Sequence, residues 1–295
     1  MKYIKYIIIS GLLMYCNTSW SQQESIFTQY FQNMNIVNPA YAGVDNETVI
    51  TSGIRSQWTG IAEAPETQTL AISTYLGKNV GLGISMVRDK TFIEKQTFLG
   101  LDFSYKLALS NGMDLYFGIK AGGNFYDVNT TGLETYSLQA DPSLFGISNF
   151  NPNIGTGLLL KTKNWYLSLS VPRLLNTERS RNEDGIATVA TDRPHFYATF
   201  GYDFKLNETG SILMKPSTFF RYVDGAPISM DFNNMLSFND KFSIGGTFRT
   251  DNSYAAIASI TFKKKFTFGF AYETSSRREL ARAQNTNEIL FRVKF

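Results

Sequence analysis

The chain has 295 residues, with 28 Lys and Arg against 25 Asp and Glu, for a formal net charge of +3. That balance is too weak, and its basic residues too dispersed, for a nucleic-acid-binding surface. Aromatic residues reach 15% while charged ones are only 18%, which is rich in Phe and Tyr for a soluble domain. Beyond the N-terminus no segment approaches eighteen uninterrupted apolar residues, so the composition argues against a membrane-spanning helix.

At the N-terminus, Lys2 and Lys5 precede an apolar run over residues 6–15, and Ser19 and Ser21 flank Trp20 at the two positions a signal peptidase reads. The pattern predicts a signal peptide over 1–21, with Gln22 as the mature N-terminus. The run is too short to cross roughly 30 Å of hydrocarbon as a helix; a buried strand or helix is the alternative. The one cysteine, Cys16, lies inside this segment. Met14 and Tyr15 are too bulky for the site of a lipid-modified cysteine, so the mature chain is expected to hold no thiol, disulfide or Cys-based metal site.

Residues 22–46 do not alternate. Gln29-Tyr30-Phe31 and Asn38-Pro39-Ala40-Tyr41-Ala42-Gly43 combine aromatics with Pro and Gly. They read as an ordered lead-in that caps one mouth of a barrel or enters its lumen. Pro39 biases Asn38 to extended geometry, Gly43 can take a positive φ, and Tyr41 offers an aromatic body with a polar tip. Such a segment docks rather than tethers.

From about residue 47 the chain alternates with period two. Leu99, Leu101, Phe103, Tyr105 and Leu107 oppose Gly100, Asp102, Ser104 and Lys106, and the same pattern recurs around Phe117, Phe200 and Phe268. The pattern predicts fourteen strands: 47–57, 66–76, 79–88, 95–108, 113–126, 154–162, 164–172, 194–206, 211–223, 227–238, 241–250, 253–262, 265–273 and 287–295. A soluble sandwich would bury the apolar faces. Here those faces end in aromatics, and the opposite faces mix Gly, Ser and Thr with charge, as expected of a lipid-facing wall around a wet lumen.

The connections have parity. Tight turns at 77–79, 110–112, 163–164, 207–210, 239–240 and 263–264 all follow even-numbered strands. The long connections 127–153, 173–193 and 274–286 follow odd-numbered ones. Two odd connections, at Asp224-Gly225 and Asp251-Asn252, are also short. Short turns on one rim and long loops on the other is the outer-membrane pattern, the short turns being periplasmic. In the last strand Ile289, Phe291, Val293 and Phe295 alternate with Leu290, Arg292 and Lys294. Such an apolar edge strand is safe only where a first strand closes on it. Residues 47–295 thus read as an all-β, transmembrane antiparallel barrel.

Chemistry is sparse. His195, the one histidine, has no G-x-S-x-G element to serve, and reads as a rim residue. Gly81-Leu82-Gly83 and Gly155-Thr156-Gly157 resemble dinucleotide fingerprints but open no βαβ unit, so they read as strand glycines. Asp141 and Asp251-Asn252 lack calcium-loop spacing. No catalytic, cofactor or metal residue is expected. The inward charges are Arg55, Asp102, Lys106, Lys120, Asp203, Lys205, Lys215, Arg221, Asp231, Arg249, Glu273, Arg292 and Lys294. They form either a selective ring in a pore or internal ion pairs around a plug.

Ser25-Ile26-Phe27-Thr28-Gln29-Tyr30, the Asn38–Gly43 hexapeptide and Arg55-Ser56-Gln57-Trp58-Thr59-Gly60 together resemble the PorP/SprF family. The likeness runs on through Gly81, Gly83, Pro152, Gly155, Gly157, His195, Gly201, Lys215-Pro216-Ser217 and Gly225-Ala226-Pro227 to the terminal Phe295. Where the family commonly shows Arg-His, this chain has Arg193-Pro194-His195 and is one residue longer. The resemblance implies a non-enzymatic outer-membrane protein of type IX secretion and gliding motility. It would hold, or help export, a large secreted surface protein that carries a type IX C-terminal secretion domain. Other expected partners are the translocon or periplasmic components and outer-membrane lipid. On this reading Asn38, Pro39, Tyr41, Gly43, Arg55 and Trp58 are plug or partner-binding candidates. A diffusion pore or small-solute transporter is the alternative.

Overall fold

In the computed structural model, residues 27–109, 112–129, 147–178, 191–276 and 285–295 are described. The predicted leader and most of the three long connections lie outside them. Fourteen strands form the wall: β1 Val49–Ser56, β2 Glu66–Gly77, β3 Val80–Thr91, β4 Glu94–Ala108, β5 Asp114–Val128, β6 Ile147–Lys161, β7 Trp165–Val171, β8 His195–Tyr202, β9 Ile212–Val223, β10 Ser229–Phe238, β11 Phe242–Arg249, β12 Ser253–Phe262, β13 Phe266–Ser275 and β14 Thr286–Lys294. After Asp203, β8 resumes in the same register as Phe204–Lys205. Each strand pairs antiparallel with its sequence neighbours, and β1 closes on β14 from Val49↔Lys294 to Ser56↔Asn287. The Phe295 N–H donates to the Thr48 carbonyl (2.9 Å), so the end of the last strand is tied to the start of the first. Closure leaves no strand of the wall at an open end of the sheet, as a sheet in lipid requires.

The wall is inside-out relative to a soluble protein. On β4, Leu101 is 61% exposed while its neighbour Asp102 is 2% exposed. Outward Leu, Ile, Phe and Tyr recur around the barrel, whereas the buried set is dominated by Ser, Thr, Asn and charged groups. Ile289, Phe291 and Phe295 face outward and Leu290 inward, which puts the terminal strand in the orientation its alternation implies.

One rim carries the tight turns. Lys78 and Asn79, Asn239 and Asp240, and Lys263 and Lys264 all have positive φ, as two-residue hairpin turns demand. Departures from the expected spans are local. β6 begins at Ile147 rather than 154, because the long β5 supplies a partner (Val128↔Ile147) to a stretch whose Ser, Asn and Pro read as loop. Pairing beat propensity here. Pro152 is tolerated because β6 pairs with β7 only from Thr156 onward. The connection expected over 127–153 therefore contracts to 129–146. A third odd-numbered connection is also short: Phe92 and Ile93 alone join β3 to β4.

Candidate functional site

Residues 27–46 run inside the barrel from the long-loop half down to the short-turn rim. They include three single-turn 3-10 helices, Tyr30–Gln32, Met34–Ile36 and Pro39–Tyr41. Asn38 is extended (φ −144°, ψ 112°), as the residue before Pro39 should be, and its side chain accepts from the Ala40 N–H at 2.9 Å. Its Nδ2 donates to the Leu158 carbonyl at 3.1 Å. Gly43 has φ +73°, and its N–H donates to Ser73 Oγ at 2.7 Å. The Ser104 hydroxyl donates to the Ala42 carbonyl at 2.5 Å and Ser170 to that of Val37 at 2.7 Å. Tyr41 meets Tyr166 edge-on at 6.5 Å.

The strand glycines explain the fit. A Cβ on Gly118 would overlap the Ala40 nitrogen, one on Gly81 the Ala42 carbonyl, and one on Gly157 the Asn38 side chain. These positions let the Asn38–Gly43 backbone lie directly on β3, β5 and β6. Tyr30 stacks on Phe219 (4.6 Å) and hydrogen-bonds Ser217 (3.0 Å), joining the buried cluster of Met34, Ile36, Val37, Ala71 and Tyr197.

The upper end of this segment meets a ladder of charge. Arg221 Nη2 donates to Asp231 (2.6 Å), Arg249 Nε to the same carboxylate (2.8 Å), Arg249 Nη1 to Glu273 (3.0 Å), and Arg55 Nη2 to Glu273 (3.0 Å). Arg55 also reaches Glu288 at 3.4 Å. The three arginines and three carboxylates balance, as buried charge requires. Glu288 accepts the Thr28 and Gln29 N–H groups at 2.8 and 2.9 Å, and the Thr28 hydroxyl donates to Glu273 at 2.7 Å. Midway down, Lys120 pairs with Asp102 (2.9 Å) and donates to the Asn35 carbonyl (3.3 Å), while Asn35 Nδ2 donates to Asp102 (3.0 Å). Two described residues flanking β7 and β8 also reach the inner wall: Arg173 lies over the Phe98 ring at 5.4 Å and Asp192 accepts from Gln96 at 3.3 Å.

Below the segment the lumen opens. A cavity of about 360 Å³ at the short-turn rim is lined by Phe31, Asn33, Tyr41 and Asp45 of the lead-in and by Lys161, Trp165, Tyr202, Asp203, Lys215 and Arg292 of the wall and its turns. Arg292 pairs with Asp45 and donates to the Gln32 carbonyl at 3.4 Å. Burial opposes ionisation of Asp45, but Arg292, Lys294 and Lys161 outweigh it and hold the carboxyl below its usual range.

The expected residues therefore separate. Asn38, Pro39, Tyr41 and Gly43 form the docked hexapeptide, and Arg55 meets the other end of the segment at Thr28. Trp58 stands apart from them, in the β1–β2 connection at the long-loop rim, where its carbonyl accepts from Ile61 N–H. Of the expected inward charges, Asp102, Lys120, Arg221 and Arg249 are buried in pairs. Lys106 pairs with Asp114 (2.8 Å) near the short-turn rim and Lys215 stands 3.8 Å from Asp203. Lys205, expected inside, is exposed at that rim. His195 places Nδ1 3.0 Å from the Arg193 carbonyl and stacks on Tyr197. Not singled out in the sequence as contacts were Thr28 and Gln29, quoted only within the family motif, and Asn35, Gly118 and Glu288; for Gly118 and Glu288 the inward position on an alternating strand was the available signal.

This is an outer-membrane β-barrel with an internal N-terminal segment, a balanced charge ladder and a one-sided vestibule. Its sequence matches the family described as type IX secretion system membrane protein PorP/SprF over residues 19–293, and the chain belongs to that family. Comparison with curated proteins gives no sequence match. Among solved structures, the Acinetobacter baumannii outer membrane protein Omp33 is similar at 10% identity (85% of this chain, 98% of that one, TM-score 0.51). The P. putida toluene transporter TodX is similar at 10% identity (89% and 94%, TM-score 0.52). The CymD monoaromatic hydrocarbon channel is similar at 12% (92% and 94%, TM-score 0.53). These likenesses concern the fold.

Proposed function

We propose that this barrel binds and anchors, or helps export, a large secreted surface protein of the type IX system, acting by binding and not by catalysis. Membership in a secretion family supports the reading. The observation that carries it is the filled lumen: the lead-in and the arginine ladder occupy the space a diffusing solute would need, and the charges of a would-be selective ring are spent on one another. With the short turns periplasmic, the long connections after β5, β7 and β13 belong to the extracellular rim, and they are the partner-binding surface on this reading. Residues 1–21 are the export signal.

Deleting 130–146 while the barrel still assembles should release the surface protein into the medium; undiminished surface display would sink the reading. The rival, a diffusion pore or small-solute transporter, draws on the vestibule. It requires conductance in planar bilayers by the intact protein, changed by neutralising Lys106, Lys120 or Arg221. A silent barrel would remove it.

A further inference from the structure

The lead-in leans to one side. Its Asn38–Gly43 end packs on β3, β5 and β6, so the vestibule opens beside it, against β7 to β11, β14, β1 and β2 and the β6–β7 turn. Lys161, Lys163, Lys215 and Arg292 line it against only Asp45 and Asp203. Arg292 and Asp45 are paired, but among the described residues no ion pair or side-chain hydrogen bond engages Lys161, and Lys215 is 3.8 Å from Asp203. Among the described residues the vestibule lining also carries buried polar atoms with no partner: the donors Asn33 Nδ2 and Arg292 Nε and the acceptors Asn35 Oδ1 and Asn233 Oδ1. Asn233, only 4% exposed, spends its Nδ2 on Thr247. Buried orphans of this kind call for a water or a ligand. Here two are donors beside a cationic excess.

We propose that the vestibule is a binding site for a carboxylate-bearing peptide segment of a periplasmic protein, with Lys161, Lys215 and Arg292 as its charge-reading residues. Asp45 shows the recognition in miniature: a carboxylate on a peptide chain, held at this mouth by Arg292 and, 3.7 Å away, Lys294. The flanking Phe31, Trp165 and Tyr202 give apolar walls for the residues on either side of the acid, as peptide sites require. A cavity of about 360 Å³ holds a short stretch of side chains rather than a folded domain. The periplasmic placement rests on the reading of the short-turn rim given above.

The test uses the full-length mature protein in detergent and a fluorescein-labelled peptide of alternating Asp and Tyr, with its Asn-for-Asp counterpart. The Asp peptide should bind, weaken steeply with salt, and outcompete the Asn peptide. Lys161→Gln and Lys215→Gln should each lower affinity about tenfold, the loss expected for one charge-assisted bond. Lys90→Gln, at the opposite rim, should leave it unchanged. Retained heat-modifiable mobility on gels shows that each variant is folded. Equal binding of both peptides, no binding, or lysine variants that bind like the parent would overturn the site. Displacement by inorganic phosphate as effective as by unlabelled peptide would overturn the peptide in favour of a small anion. No surface protein enters the assay, so its failure leaves anchoring standing, and lost anchoring in a loop variant leaves this site standing.

Discussion

The two ends of the lumen solve the problem of inward charge differently. At the long-loop end, arginines and carboxylates are matched one for one, buried, and bonded to the backbone of Thr28 and Gln29. At the short-turn end, cations outnumber carboxylates around open space. Charge in a closed, dry region must be neutralised within the chain, because desolvation is otherwise too costly. Charge in a wet region can be left for a ligand. At one end every charge is spent within the chain, and at the other the same N-terminal segment lies beside cations in excess.

The sharpest way to break the contrast is Arg55→Ala. It leaves Glu288 buried with no cation and Glu273 with Arg249 alone, which should cost about 3–5 kcal/mol. Urea unfolding of the refolded barrel, followed by gel mobility, would show it; a loss no larger than that of a rim variant such as Lys90→Ala would refute the ladder's role. Next is Gly118→Val, which places a branched side chain where the Ala40 backbone lies. Overpacking of about 1–3 kcal/mol should shift the docked segment outward, raising planar-bilayer conductance about tenfold or more. The outward Ala121→Val should stay silent.

Glu288→Gln keeps the shape but weakens the acceptor for Thr28 and Gln29. About 1.5 kcal/mol of docking should be lost, seen as faster hydrogen exchange over residues 27–36 with the β-strands unchanged. The smallest effect belongs to the vestibule. Because the Asp45 carboxyl is held below its ordinary value, its contribution is present above the unfolded pKa and fades as pH falls through the lower folded one. Solvent screening limits it to about 0.5 kcal/mol. Asp45→Asn should therefore narrow the stability gap to the parent only below about pH 4; an equal gap at all pH values would mean the aspartate acts through packing.

Legibility followed the physics of each region. The number of wall strands and their faces could be read from the sequence, because lipid imposes strict period-two alternation and tight turns mark the hairpins. The start of β6 could not: Ser148, Asn149 and Pro152 look like loop, and only the length of β5 makes them strand. That Trp58 and Asn38 lie at different ends of the barrel could not be read either, because likeness to a family motif carries no information on which rim a residue occupies.

The sequence by itself determined a closed barrel, its lipid face, the parity of its turns and a rigid bend at Asn38–Gly43. These are local rules: alternation, turn chemistry, and the backbone limits of Pro and Gly. Only the tertiary structure decided that residues 27–46 enter the lumen, that Gly81, Gly118 and Gly157 make room for them, and that Arg55 finds Glu273 more than two hundred residues away. Those contacts join positions whose separation along the chain carries no signal. They exist because closing the barrel brings distant inward faces into one small space, where every charge must find a partner or a ligand.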